Sequence, residues 1–163
     1  HMNKQLTFLL SLTFLFLFNG SVYCGDEDDF QVGLEAHKRK DYKEAVRLWK
    51  PIAEQGDPDA QYSLGLMYQE GTGVPQDYKE AVRLYRIAAE QGVALAQYSL
   101  GFMHAKGTGV LQDYALAHMW FNLSGSNGYK DAVHNRNIVE KKMTPSQIEK
   151  AQDMARNWKP TKK

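Results

Sequence analysis

Residues 60–65, Ala-Gln-Tyr-Ser-Leu-Gly, return unchanged at 96–101, and residues 71–74, Gly-Thr-Gly-Val, return at 107–110. Both pairs lie 36 positions apart. Across the register that lays Gly56–Gln91 on Gly92–Asn127, 16 of 36 residues are identical, where random pairing at average composition gives about two. The same offset lays Asp41–Gly56 on Asp77–Gly92 with 12 of 16 identical. An array therefore begins near Asp29, its first unit having a shorter loop. A fixed period of this length signals stacked supersecondary units rather than one globular core.

Within a unit the apolar residues recur at helical spacing. Ala60, Leu64, Met67 and Tyr68 mark one helix, and Tyr78, Ala81, Val82, Leu84, Tyr85 and Ala88 a second. Gly71-Thr72-Gly73-Val74-Pro75 separates them with glycines suited to positive φ and a proline that cannot prolong the first helix. Asp77 with Glu80, and Asp41 with Glu44, have the spacing of a capping box with aspartate at its head. Gly65 and Ala81 are small mid-helix residues, which predicts that the two helices touch backbone to backbone there. Leu123-Ser124-Gly125-Ser126-Asn127 replaces Ile87-Ala88-Ala89-Glu90-Gln91 in the third unit, so its second helix is expected to end early. Beyond Asn127 the repeat degrades, although Ala132, His134 and Arg136 still align with Ala96, Tyr98 and Leu100. Thr144-Pro145-Ser146-Gln147 opens a final helix carrying Ile148, Ala151, Met154, Ala155 and Trp158, stopped by Pro160. With Glu149, Lys150, Asp153 and Arg156 outward, it has the pattern of a solenoid cap. The expected fold is an all-α solenoid: three repeats (about 29–56, 57–92 and 93–127), then a degenerate repeat and capping helix over 128–163.

Upstream of the array, Lys4 precedes an apolar run from Leu6 to Phe18, followed by Asn19, Gly20 and Ser21. That order is the order of a secretory signal peptide. His1 before Met2 reads as a vector remnant. Val22 and Cys24 suit a cleavage site before Gly25, which predicts a periplasmic or secreted protein. A lipidated Cys24 and an uncleaved anchor are the alternatives, although the run is shorter than the roughly 20 residues of a membrane span. Past residue 24, 19 basic residues face 19 acidic ones. The balance argues against nucleic acid as a partner. One cysteine excludes a disulfide framework and multi-cysteine metal or iron–sulfur sites.

Catalytic patterns are absent from the sequence. Ser124-Gly125-Ser126-Asn127-Gly128 lacks the first glycine of a nucleophile elbow, and no serine has lysine three residues later. Gly71-x-Gly73 and Gly107-x-Gly109 follow helices and lack the third glycine of a nucleotide fingerprint, so they read as turn glycines. His37, His104, His118 and His134 do not have metal-pair spacing; His104 replaces Tyr68 and His118 replaces Val82 by repeat drift. No catalytic residue, metal or cofactor is therefore expected.

The motif Ala-Gln-x-x-Leu-Gly-x-Met-Tyr, then Gly-x-Gly-Val-x-Gln-Asp-Tyr, Glu-Ala and Ala-Ala-Glu-Gln-Gly, resembles the Sel1-like repeat, a relative of the tetratricopeptide repeat. The match is close in Ala60–Gly92 and good in Ala96–Ala117. In Phe30–Gly56 it is tetratricopeptide-like, with Gly33, Asp41, Tyr42, Ala45 and Trp49 in the expected places. The resemblance implies a protein-interaction module whose first helices line a concave groove for a peptide or protein. Carried over residue by residue, that groove comprises Phe30, Leu34 and His37 in the first unit. It continues with Asp59, Tyr62, Leu66 and Gln69 in the second, and Leu95, Tyr98, Phe102 and Ala105 in the third. Leu34, Leu66 and Phe102 either face the groove or are buried between helices, whereas Tyr62 and Tyr98 are expected to be exposed. The implied role is a non-catalytic adaptor of the bacterial envelope or secreted fraction. Cysteine-rich relatives that bind or hydrolyse β-lactams imply a second reading. Their inter-unit disulfide has no counterpart here, since the positions near Ala89 and Gln97 hold no cysteine. A membrane-tethered scaffold is a third.

Overall fold

Thirteen-residue helices recur along the chain because the repeat sets where the first and the second helix of each unit start and stop. The computed structural model describes residues 26–161, which hold α1 (Asp26–Lys38), α2 (Tyr42–Glu54), α3 (Pro58–Glu70), α4 (Tyr78–Glu90), α5 (Ala94–Lys106), α6 (Tyr114–Ser126), α7 (Asp131–Glu140) and α8 (Pro145–Asn157). Among these residues there is no strand. Pairs α1–α2, α3–α4 and α5–α6 are the three units; each second helix also packs on the first helix of the next. The apolar export segment and Cys24 lie outside the described residues.

Four of the described helix starts follow aspartate. The side chains of Asp41, Asp57, Asp77 and Asp113 each accept from an N–H in the first turn of the helix that follows, satisfying a donor the helix leaves unpaired. The expected aspartate capping box is corrected in its second half. Glu44 and Glu80 do not reach back to the cap. They receive forked hydrogen bonds from Arg47 and Arg83 instead. The cap N–H groups are already used, Asp41 donating to Ala36 O and Asp77 to Tyr68 O. Only Thr144 and Gln147 form the reciprocal box among the described helices.

Gly71 and Gly107 end α3 and α5 in the left-handed region. At Gly73, φ is also positive, at 74°, and a β-carbon would stand 2.6 Å from the Tyr42 carbonyl oxygen. The loop of one unit is thus pressed on the start of the second helix of the unit before, where only glycine fits.

The small residues between paired helices work differently from the expected backbone contact. Each glycine lies under an aromatic ring of the second helix: Gly33 under Trp49, Gly65 under Tyr85 and Gly101 under Phe121. A β-carbon at Gly65 would stand 2.6 Å from Tyr85. The ring, repeated every 36 residues, takes the volume that the missing side chain leaves.

The cores lie between units as well as within them. One joins Trp49, Ile52 and Ala53 of α2 to Leu64 and Met67 of α3 and Leu84 of α4. The next joins Tyr85 and Ala88 of α4 to Leu100 and Met103 of α5 and Trp120 of α6, with Ala155 of α8. The last sets Phe121 of α6 against Ala132 and Val139 of α7. Burying each large side chain contributes about 1.5–3 kcal/mol, and much of this is available only when neighbours stack.

A polar clamp reinforces each junction. Gln61, nearly fully buried, donates to Ala53 O at 3.1 Å and accepts from Gln91 Nε2 at 2.8 Å. One unit on, Gln97 donates to Ala89 O at 3.1 Å and accepts from Asn127 Nδ2 at 2.9 Å.

Helix α6 does not end early. It runs to Ser126, as far into its unit as α4 does. Leu123 and Ser124 are buried, and Ser124 Oγ donates to Ala94 O at 2.7 Å. That bond uses the serine hydroxyl between helices, so it does not compete with the helix backbone. After α6, helix α7 takes the next place in the stack. The final helix α8 turns back on α6, with the Trp158 ring 6.4 Å from that of Trp120. Thr161 then donates to Glu90 O at the end of α4.

Candidate functional site: the first-helix face

In the first unit the expected groove residues are drawn into the core. Phe30 and His37 lie 5.7 and 5.9 Å from the Trp49 ring, and the Phe30 carbonyl accepts from Trp49 Nε1. Leu34 packs partly buried against the same cluster. In the second unit Asp59 is exposed at the start of α3, whereas Leu66 is half-buried against the core. Tyr62 is half-buried too, its ring 5.8 Å from Tyr85. Burial pushes its phenol above the ordinary range, and that of Tyr85 further still. Gln69 is occupied as the acceptor for Tyr85 Oη at 2.9 Å.

Tyr98 is not free either. It stands between Phe121, at 5.6 Å, and Tyr129, at 4.8 Å, and its hydroxyl accepts from Asn135 Nδ2 at 2.8 Å. The two tyrosines expected to be exposed are therefore framework residues, because aromatic rings of the second helices and, for Tyr98, Tyr129 of the turn before α7 reach them. Leu95, 40% exposed, and Phe102, 44% exposed, are the aliphatic and aromatic side chains of α5 that face solvent. Ala105 is half-buried in the last core.

Phe102 belongs to a feature that the sequence reading did not assemble. Between α5 and α7, over α6, lies a cleft of about 330 Å³ bounded by Phe102, Lys106, Tyr114, Ile138 and Lys142. Lys106 Nζ sits 5.5 Å from the Phe102 ring centroid and Lys142 Nζ 5.5 Å from that of Tyr114, within cation–π range. The cleft combines exposed apolar surface with two ammonium groups. Its signal was present in the chain: the 36-residue offset carries Leu66 to Phe102 to Ile138, and Lys106 to Lys142. The polar residues of α7 concealed that row.

Chemically reactive arrangements are not assembled around it. Among the described residues no group of three His, Cys, Asp or Glu side chains could hold a metal, and no helix is long and apolar enough to cross a membrane. His104 and His118 are buried, each with an unpartnered Nδ1. His118 Nε2 meets Glu140 Oε2 at 3.3 Å. Burial holds both imidazoles below their ordinary pKa, against the opposing pull of Glu140 on His118. Both are sealed in helix packing, away from the cleft.

Residues 30–57, 58–93 and 94–129 each match a family model described as Sel1 repeat. A crystal structure of c5321, a protective antigen present in uropathogenic Escherichia coli strains and displaying an SLR fold, is 33% identical. It superposes with a TM-score of 0.77 over 80% of this chain and 29% of that one. The crystal structure of a Sel1 repeat protein from Oxalobacter formigenes is 36% identical, with a TM-score of 0.65 over 68% of this chain and 46% of that one. The chain thus spans less than half the length of either.

Proposed function

Because this chain belongs to the Sel1 repeat family, whose members are generally protein-interaction modules and typically non-catalytic, we propose that it is an adaptor. It holds a segment of a partner protein across the face formed by α3, α5 and α7. The observation that carries this reading is the Phe102–Ile138 cleft. Two exposed apolar side chains, one on α5 and one on α7, form an apolar floor, and Lys106 and Lys142 stand at its edge. A partner segment with a bulky apolar residue beside a carboxylate satisfies both halves, the apolar group supplying affinity and the ion pairs orientation. Asp59, exposed at the start of α3, extends the same face. The basic, apolar, small-residue order of residues 4–21 supports placing the protein in the bacterial envelope or secreted fraction.

Affinity capture of envelope proteins by wild type and by Phe102→Asp tests the proposal. Phe102 is exposed, so the variant keeps its helical circular dichroism and loses the partner. Equal retention of the same partner by both would refute the assignment of this face.

A further inference from the structure

The outer face formed by the second helices carries an unfilled counterpart of a groove that the chain fills for itself. Between α2 and α4, over α3, lies a cavity of about 450 Å³ whose floor and walls include Val46, Leu64, Leu84 and Ile87. Advancing by 36 residues gives Val82, Leu100, Trp120 and Leu123 between α4 and α6. That second groove is occupied. Ala155 of α8 is buried in its cluster, Met154 and Trp158 pack on it, and Thr161 closes on Glu90 O. The same helix spans thus recur at the 36-residue offset, once with a helix seated on them and once without.

The walls differ as this reading requires. Where the filled groove has Leu116 and Met119, the open one has Glu80 and Arg83, hydrogen-bonded to each other at its rim. Leu123 is 8% exposed under α8, whereas its counterpart Ile87 is half-buried. The apolar floor persists while the rim carries both charge signs, a combination suited to a helix that arrives and leaves rather than one built in.

We propose that the α2–α4 groove is a docking site for a single amphipathic helix of another protein. That helix presents a small residue at the crossing, flanked by an aromatic and a Met or aliphatic anchor, as Ala155, Trp158 and Met154 do at the end of α8. Polar flanks of both signs would face the Glu80–Arg83 pair. A second copy is not the favoured occupant, because each copy's α8 is already seated against its own α6, with Ala151 and Ala155 buried. This site is separate from the first-helix cleft, and neither reading depends on the other.

The probe is a labelled synthetic peptide of residues 144–161, titrated into the full chain by fluorescence anisotropy. The expected result is saturable binding, weakened on the order of tenfold or more by Ile87→Glu in the protein, or by Trp158→Ala in the peptide, as for loss of an interface anchor. Phe102→Asp, on the other face, should leave it unchanged. Should Ile87→Glu fail to fold, amide shift mapping on wild type decides: perturbations confined to α2, α3 and α4 support the site. Absence of saturable binding, binding indifferent to Ile87→Glu, or perturbations at α6 that signal displacement of the resident α8 would each overturn it. So would self-association of the free protein in sedimentation that Ile87→Glu abolishes, since the occupant would then be a second copy.

Discussion

Gly101 lies beneath the ring of Phe121, so that a β-carbon at residue 101 would stand 2.8 Å from Phe121 Cδ1. Phe121 is itself 1% exposed and cannot swing into solvent. Glycine in mid-helix costs roughly 1 kcal/mol relative to alanine, yet a larger residue here must displace a buried ring.

Gly101→Leu should accordingly destabilise the fold by on the order of 2 kcal/mol or more, since overpacking outweighs the gain in helix propensity. Urea unfolding measures it. Combining Gly101→Ala with Phe121→Leu should recover part of the loss of either single change, the sign of coupled neighbours. Strict additivity would contradict the ring-over-glycine packing.

Gln97 is the buried clamp between α4 and α5 and the end of α6. Replacing it with leucine removes its hydrogen bonds with the Ala89 carbonyl, which keeps the Gly92 N–H, and with Asn127 Nδ2, which keeps its long contact to Gly92 O, and so predicts a loss of about 0.5–1.5 kcal/mol. Gln97→Glu should be worse at neutral pH, because a carboxylate would face a carbonyl, and should recover on mild acidification. A denaturation midpoint for Gln97→Leu within error of wild type would show that the clamp contributes nothing.

His104 and His118 are held below their ordinary pKa chiefly by burial. In the unfolded chain both return to about 6.5. Between the folded value and 6.5 the unfolded state binds more protons, so stability rises with pH. The contribution is complete above about 6.5 and is lost as pH falls from there toward the folded values. The melting temperature should therefore drop between pH 7.5 and 5.5. The double change His104→Tyr with His118→Val, which installs the residues found at Tyr68 and Val82, should reduce that drop. An undiminished drop would assign the acid sensitivity to other groups.

Trp158 joins the end of α8 to Trp120 of α6. Trp158→Ala should lower stability by about 1–3 kcal/mol, less than the 3–5 of a fully buried tryptophan, because Trp158 is half-buried. It should also raise hydrogen exchange of the Thr161 N–H, which donates to Glu90 O at the end of α4. Unchanged exchange there would separate the two contacts.

The helix pairs were legible because glycine, aspartate and aromatic residues recur at one offset, and each has a local task that needs no partner to be recognised. Gln61 and Gln97 were visible as identical letters, but their role depends on which carbonyl stacking brings beside them. The end of α6 was misread because Ser124 and Gly125 are poor helix formers in isolation. Burial and the bond to Ala94 O override that preference. Tyr62 and Tyr98 looked like groove residues since their position on the first helix is right. Only packing reveals that Tyr85, Phe121, Tyr129 and Asn135 cover them. The Ile138 end of the cleft stayed hidden because α7 keeps the repeat's spacing while losing most of its residues.

The central claim, that the first-helix face holds the partner, is tested most directly by a photo-crosslinking residue placed at Phe102, with the same residue at exposed Leu111 as reference. The account predicts a partner adduct at 102 and none at 111. Adducts at 111 with none at 102 would contradict it.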